Sequence, residues 1–161
     1  MEDVFQKLIL MIRAYYPVLY LHSYEYYRTK QKIKGIVELL RREGKKVNYY
    51  QWDCVYGLVQ ILPDKTEKRI ERMQNPLEVL AYILNSKKSG EKNIFVLDDI
   101  NNHIERDEVK LMFRKIAEAT NNNTHAIILS SIYRLPAELE KYITVLQIPL
   151  PKRNELGEVL D

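Results

Sequence analysis

Ile94-Phe-Val-Leu-Asp98-Asp99 is a run of four apolar residues followed by two acids. Carboxylates at the end of a buried strand suit two tasks in phosphate chemistry. One helps to hold a magnesium ion on the phosphates, and the other polarises an attacking water. The same residues also have a plain structural use, because an Asp after a strand caps a helix or accepts from loop amides. Leu129-Ser130-Ser131 closes a second apolar run. A serine placed there either faces a terminal phosphate or turns the chain.

For that chemistry the chain must also grip phosphates. This takes glycines that let backbone N–H groups wrap the anion, a lysine for charge and a hydroxyl for magnesium. His22-Ser-Tyr-Glu-Tyr-Tyr-Arg-Thr-Lys30 contains no glycine and no Gly-Lys-Ser/Thr. Ser23 reads instead as a helix cap, and Glu25 as a carboxylate in the first helical turn. There it would occupy the field that draws anions to a helix N-terminus. Tyr24, Tyr26 and Tyr27 either fill the space left by the loop or pack on the helix with partial surface exposure. The expected crevice is therefore vestigial. It consists of Ser23, Glu25, Asp98, Asp99 and Ser130, has no catalytic residue, and its like charges meet a triphosphate.

Other chemistries find less. No Gly-x-Gly-x-x-Gly follows the first strand, which excludes a dinucleotide fold. A phospho-receiver would carry its acids after strand one, not strand three. His103 stands alone near the acids, so no metal site is expected. Cys54 has no partner and reads as a packing residue. Arg28, Lys30, Lys32, Lys34, Arg41, Arg42, Lys45 and Lys46 form a basic run with Tyr49 and Tyr50 behind it. Such a run could bind nucleic acid through phosphate contacts and stacking, or be a solvated helix face.

The elements that must position these residues follow from hydrophobic periodicity. With 161 residues, 46% of them hydrophobic and 29% charged, the chain is one globular domain. A net charge of +3 does not by itself mark a nucleic-acid binder. A single cysteine allows no internal disulfide, which suits the cytoplasm or an equivalent reducing compartment. Glu2 and Asp3 stand where a signal peptide would be basic. Lys7, Arg13 and Pro17 interrupt the apolar stretch from Val4 to Leu21, so no membrane association is expected.

Val4, Phe5, Leu8, Ile9 and Ile12 share a helical face, and Pro17 is expected to end that helix. The spacing then predicts strands over 17–21, 46–52, 93–98, 124–130 and 143–148. It predicts further helices over 25–43 and 107–120 and a turn at 121–123. Another helix starts at Asn75-Pro76, with Leu77, Leu80, Ala81 and Leu84 on its apolar face and Gly90 separating it from the next strand. Gly44 closes the second helix in a left-handed conformation, and Asn75-Pro76 opens the third. Residues 53–74 read as irregular, with the charged stretch Asp64–Arg72 as a partner-binding or mobile loop. Apolar strands alternating with helices give a parallel sheet covered on both faces, with ligands at the strands' carboxyl ends.

In this order the residues resemble AAA-type ATPases, most closely a group found in cyanobacteria and plastid genomes. In that group a degenerate N-terminal ATPase-like domain precedes an intact AAA module. The resemblance runs through Ile12-Arg-Ala-Tyr-Tyr-Pro-Val-Leu-Tyr-Leu21, Tyr50-Gln-Trp-Asp53, Asn75-Pro-Leu-Glu-Val-Leu80, Ile94–Ile100, Ile127–Ser131, Leu135–Leu146 and Ile148-Pro-Leu-Pro151. It implies a three-layer α/β sandwich of the P-loop NTPase type, with a five-stranded parallel sheet in the order 5-1-4-3-2. Residues 1–151 would form the domain, and 152–161 a tail opening into a linker or a helical lid. This sequence departs from the family where it lacks the phosphate loop. Asp99 replaces the usual Glu, and Glu140-Lys141-Tyr142 stands where arginines would reach a neighbouring subunit. Arg134 is a poor substitute. The resemblance implies a non-catalytic module acting through protein contacts, with an AAA-type ATPase or a second copy as partner. It needs no cofactor of its own, and ATP with magnesium enters only if a complete AAA module follows. Nucleic-acid binding and residual ATP hydrolysis by Asp98 and Asp99 stand as alternatives.

Overall fold

A computed structural model describes residues 2–119 and 123–150. The chain runs α1 (Glu2–Arg13), β1 (Val18–His22), α2 (Tyr26–Arg42), β2 (Val47–Asp53), β3 (Gly57–Ile61), β4 (Glu67–Glu71), α3 (Pro76–Ser86), β5 (Lys92–Asp98), α4 (Asp107–Glu118), β6 (Thr124–Ser130) and β7 (Thr144–Gln147). The strands form one seven-stranded sheet in the order β4-β3-β2-β5-β6-β1-β7. Strands β2, β5, β6, β1 and β7 pair in parallel. Their order is the one expected for the five parallel strands.

Strand alternation sorts the core into two layers, because successive side chains point to opposite faces. Val18, Tyr20, Phe95, Leu97, Ala126 and Ile128 face α3 and α4, packing against Val79, Leu80, Ile83, Val109, Phe113 and Ile116. Leu19, Leu21, Ile94, Val96, Ile127 and Leu129 face α1 and α2, packing against Leu8, Ile12, Ile33, Val37 and Leu40. Burial on both faces is why these strands read as unbroken apolar runs. Each fully buried side chain of this size contributes about 1.5–3 kcal/mol.

The sheet is mixed rather than wholly parallel, and seven-stranded rather than five-stranded. Residues 57–71, expected as part of an irregular loop, form an antiparallel hairpin that extends the sheet beyond β2. Gly57 starts it at φ 78°, the left-handed region that glycine tolerates. Asp64 organises its turn, accepting from Thr66 N at 3.0 Å and Thr66 Oγ1 at 2.6 Å. β4 is the sheet edge, and all its residues but Ile70 are exposed. A charged edge strand has no apolar alternation to read, and its charges discourage pairing with other chains. The proposed loop at Asp64–Arg72 is therefore a turn and a strand.

Helix ends differ in detail. α1 stops at Arg13, short of Pro17, and Tyr15 takes φ 66° in the link. Gly44 does take the left-handed conformation, and Asn75 caps α3 by accepting from Leu77 N at 2.9 Å. Residues 120–122 and 151–161, which hold most of the expected turn and all of the tail, lie outside the described residues. No helix among the described residues is long and apolar enough to cross a membrane.

Candidate functional site at the carboxyl end of the sheet

β5 is buried along its length and delivers Asp98 to the sheet's carboxyl end. Tyr26 and Lys30 lie one turn apart on α2, hence on the same face. Lys30 Nζ makes an ion pair with Asp98 Oδ2, the two side chains being 23% and 15% exposed. Asp98 Oδ1 is buried and has no hydrogen-bond partner among the described residues. Burial pushes the Asp98 carboxyl above its ordinary range; Lys30 acts against this, and the charges of Asp99 and Asp53 add to it.

Asp99 sits at φ 57°, a left-handed conformation that Asp adopts more readily than most residues. Its amide donates to Leu129 O at 2.9 Å, which ties the end of β5 to β6. The Tyr26 hydroxyl donates to Asp99 Oδ1 at 2.5 Å and accepts from Ser131 N at 2.8 Å. One phenol thus takes up both an acid after β5 and the first backbone donor after β6. In a phosphate site both would face ligand.

The two serines turn away from the crevice. Ser23 N donates to Ser130 O at 3.0 Å, and both side chains are buried. Ser23 Oγ bonds Thr29 Oγ1 at 2.8 Å and accepts from Glu25 N at 3.1 Å. Ser130 Oγ exchanges two 3.1 Å bonds with the backbone of Ile132. The expected cap at Ser23 is corrected, since its hydroxyl closes a turn onto Glu25 before the helix begins. Glu25 is not in the first turn either. It flanks Tyr26 at φ −116°, with no side-chain capping bond.

A cleft of about 450 Å³ opens beside these groups, lined by Asp53, Tyr56, Asp98, Asp99, Asn102 and His103 among others. Asp53 Oδ1 accepts from Val55 N at 2.8 Å and Tyr56 N at 2.7 Å, which shapes the turn between β2 and β3. Cys54 lies in this turn and is exposed, not packed as expected. Among the described residues no group of three or more His, Cys, Asp or Glu could hold a metal ion.

Three members of the basic run have partners within the chain. Lys30 is committed to Asp98, Lys46 Nζ bonds Glu91 at 2.9 Å, and Arg41 donates twice to Val47 O at 3.1 and 2.8 Å. Arg28 and Lys34 are half-buried, while Arg42 and Lys45 are exposed. Of the expected crevice residues the structure joins Ser23 to Ser130 through the backbone, and to Asp98 and Asp99 it adds Lys30 and Tyr26. The sequence alone puts Lys30 in the basic run and leaves Tyr26 between filling space and packing on its helix with partial exposure. Their one-turn spacing after β1 was the available signal for a shared task.

Comparison with known proteins adds the family. The family model described as "SpoVK-like AAA ATPase, N-terminal domain" matches residues 4–148. An "Uncharacterized AAA domain-containing protein ycf46" of Guillardia theta is 28% identical over 153 residues, covering 94% of this chain and 28% of that protein. A protein of the same description from Trieres chinensis is 28% identical over 155 residues, covering 96% of this chain and 29% of that protein. A third, from Gracilaria tenuistipitata var. liui, is 30% identical over 134 residues, covering 80% of this chain and 25% of its own length. The chain thus spans less than a third of these relatives.

Proposed function

Because the chain belongs to the family of SpoVK-like AAA ATPase N-terminal domains, we propose that it is a non-catalytic ATPase-fold module that works through protein contacts, as the regulatory or assembly front of an AAA-type ATPase. The observation that carries this reading is the filling of the phosphate side of the crevice by the chain itself. Lys30 supplies the cation that Asp98 would otherwise take from a metal, and the Tyr26 hydroxyl occupies Asp99 and the Ser131 amide. Ser23, Tyr24 and Glu25 alone join β1 to α2, so there is no loop whose amides could wrap a phosphate. Phosphoryl transfer depends almost wholly on positioning and neutralising phosphates. Acids without that grip do not supply it.

Titration of the chain with ATP and magnesium, followed by calorimetry, tests the proposal. The expected result is no saturable binding up to about 1 mM, that is, less than about 4 kcal/mol of affinity. Micromolar binding displaced by ADP, or phosphate release by this chain, refutes it. The two alternatives fare less well on the same observations. Lys30, Arg41 and Lys46 of the basic run are held by partners within the chain, and the acids that would hydrolyse ATP are engaged by Lys30 and Tyr26.

A further inference from the structure

Resting on the reading that the crevice takes no nucleotide, we propose that the carboxyl end of the sheet docks a partner-protein segment that presents an arginine or lysine between apolar residues.

Exposed rings crowd this end. Tyr24 is 62% exposed, Tyr27 77% and Tyr56 63%, and Ile132 and Tyr133 beside them are exposed as well. They sit on the links after β1, β2 and β6 and on the first turn of α2, so the parallel register gathers them at one end. Two of these rings lean on rings of β1. Tyr24 lies 5.4 Å from His22, and Tyr133 lies 5.5 Å from Tyr20 and 6.1 Å from His22. An exposed apolar surface rimmed by polar groups marks an interaction site, and tyrosine is enriched in such surfaces.

Charge chooses the occupant. Asp53, Asp98 and Asp99 line the cleft together with Tyr56, and Lys30, which lines the adjoining cleft, is already engaged with Asp98. Asp53 and Asp99 carry the acidic charge left on the cleft wall and disfavour ionised Asp98, while the Arg134 guanidinium reaches Asn102 Oδ1 at 3.1 Å from one side. A phosphate or a nucleic acid would add to that repulsion, whereas an ammonium or guanidinium relieves it. The exposed Tyr56 side chain lines the same cleft, and an aromatic ring attracts a cation.

The test selects a phage-displayed random dodecapeptide library on the chain. Enriched peptides are then measured against the wild type, the Asp53→Asn/Asp99→Asn variant and Tyr56→Ser. Asn keeps an acceptor at both sites, so the turn at Asp53 and the Tyr26 bond survive. Tyr56 is exposed and its loss leaves the core intact. The expected peptides carry Arg or Lys flanked by apolar residues. Their affinity should fall about tenfold or more in each variant, and likewise when the cationic residue becomes Gln. Enrichment of acidic or uncharged peptides, absence of enrichment, or affinity unchanged in both variants overturns the proposal. Saturable ATP binding sinks the parent reading instead. Failure to bind either peptides or ATP sinks the docking inference alone.

Discussion

The Lys30 ammonium sits on Asp98 Oδ2, so the second turn of α2 delivers a cation to the carboxylate at the end of β5. In a magnesium site that carboxylate faces a metal carried in by nucleotide. Here the counter-ion is tethered, and no ligand is needed to neutralise it. Both side chains are largely out of water, so each partner depends on the other.

Lys30→Met should lower stability by about 2 kcal/mol, a value reduced from that of a fully buried pair because both groups retain some exposure. Lys30→Met/Asp98→Leu should recover most of the loss, since no uncompensated charge remains. Urea unfolding of the single and double variants measures the coupling. Additive losses would show that the pair does not act as one unit.

Tyr26→Phe keeps the ring and deletes the hydroxyl that joins Asp99 to Ser131. The expected cost is about 1–2 kcal/mol, because the Ser131 amide and the Asp99 carboxylate each lose a partner. Hydrogen exchange should quicken at Ser131, while the amides within β5 and β6 keep their protection. An unchanged exchange rate at Ser131 would contradict the bridge.

Acid stability should depend on His125 at the opposite end of the sheet. His125 Nδ1 donates to Tyr16 O at 2.6 Å, and its Nε2 accepts from Lys92 Nζ at 2.8 Å. Burial first, then the Lys92 charge, lowers its pKa from 6.5 to about 4. The unfolded state therefore binds more protons between those values, and stability rises with pH across that window. The contribution is complete above pH 6.5 and is lost as pH falls through 4; its size is about 3 kcal/mol. The pH profile of His125→Gln, compared with wild type by chemical unfolding, should be flatter in this range. Lys92, lowered by burial to about 8, adds a second rise in stability from pH 8 towards 10.5.

Gly57→Ala should damage the hairpin selectively. Gly57 has φ 78°, and an added Cβ would lie 3.0 Å from Met73 N and 3.2 Å from Glu71 O. Both neighbours are backbone, so the strain has no side chain to absorb it. A loss above about 1 kcal/mol is expected, with exchange quickened in β3 and β4 and unchanged in β6. A variant as stable as wild type would show that the turn tolerates a side chain.

The five parallel strands and four helices are legible in the amino-acid order because each buries apolar residues at a local period that chain geometry imposes. Ile94–Leu97 and Ala126–Leu129 read as strands covered on two faces, and Asn75-Pro76 reads as a helix start. The missing phosphate loop is also legible, since the glycines it requires are absent between His22 and Lys30. β4 is not legible, because an edge strand buries too little to leave an apolar pattern. The partners of Lys30, Tyr26 and Ser23 are not legible either. Lys30 and Asp98 lie 68 residues apart, and the contact exists because β1 and β5 flank β6 while α2 crosses above them. Local sequence specifies periodicity and backbone freedom. Which side chain neutralises which depends on strand order and helix placement, and those are set by how the whole chain packs.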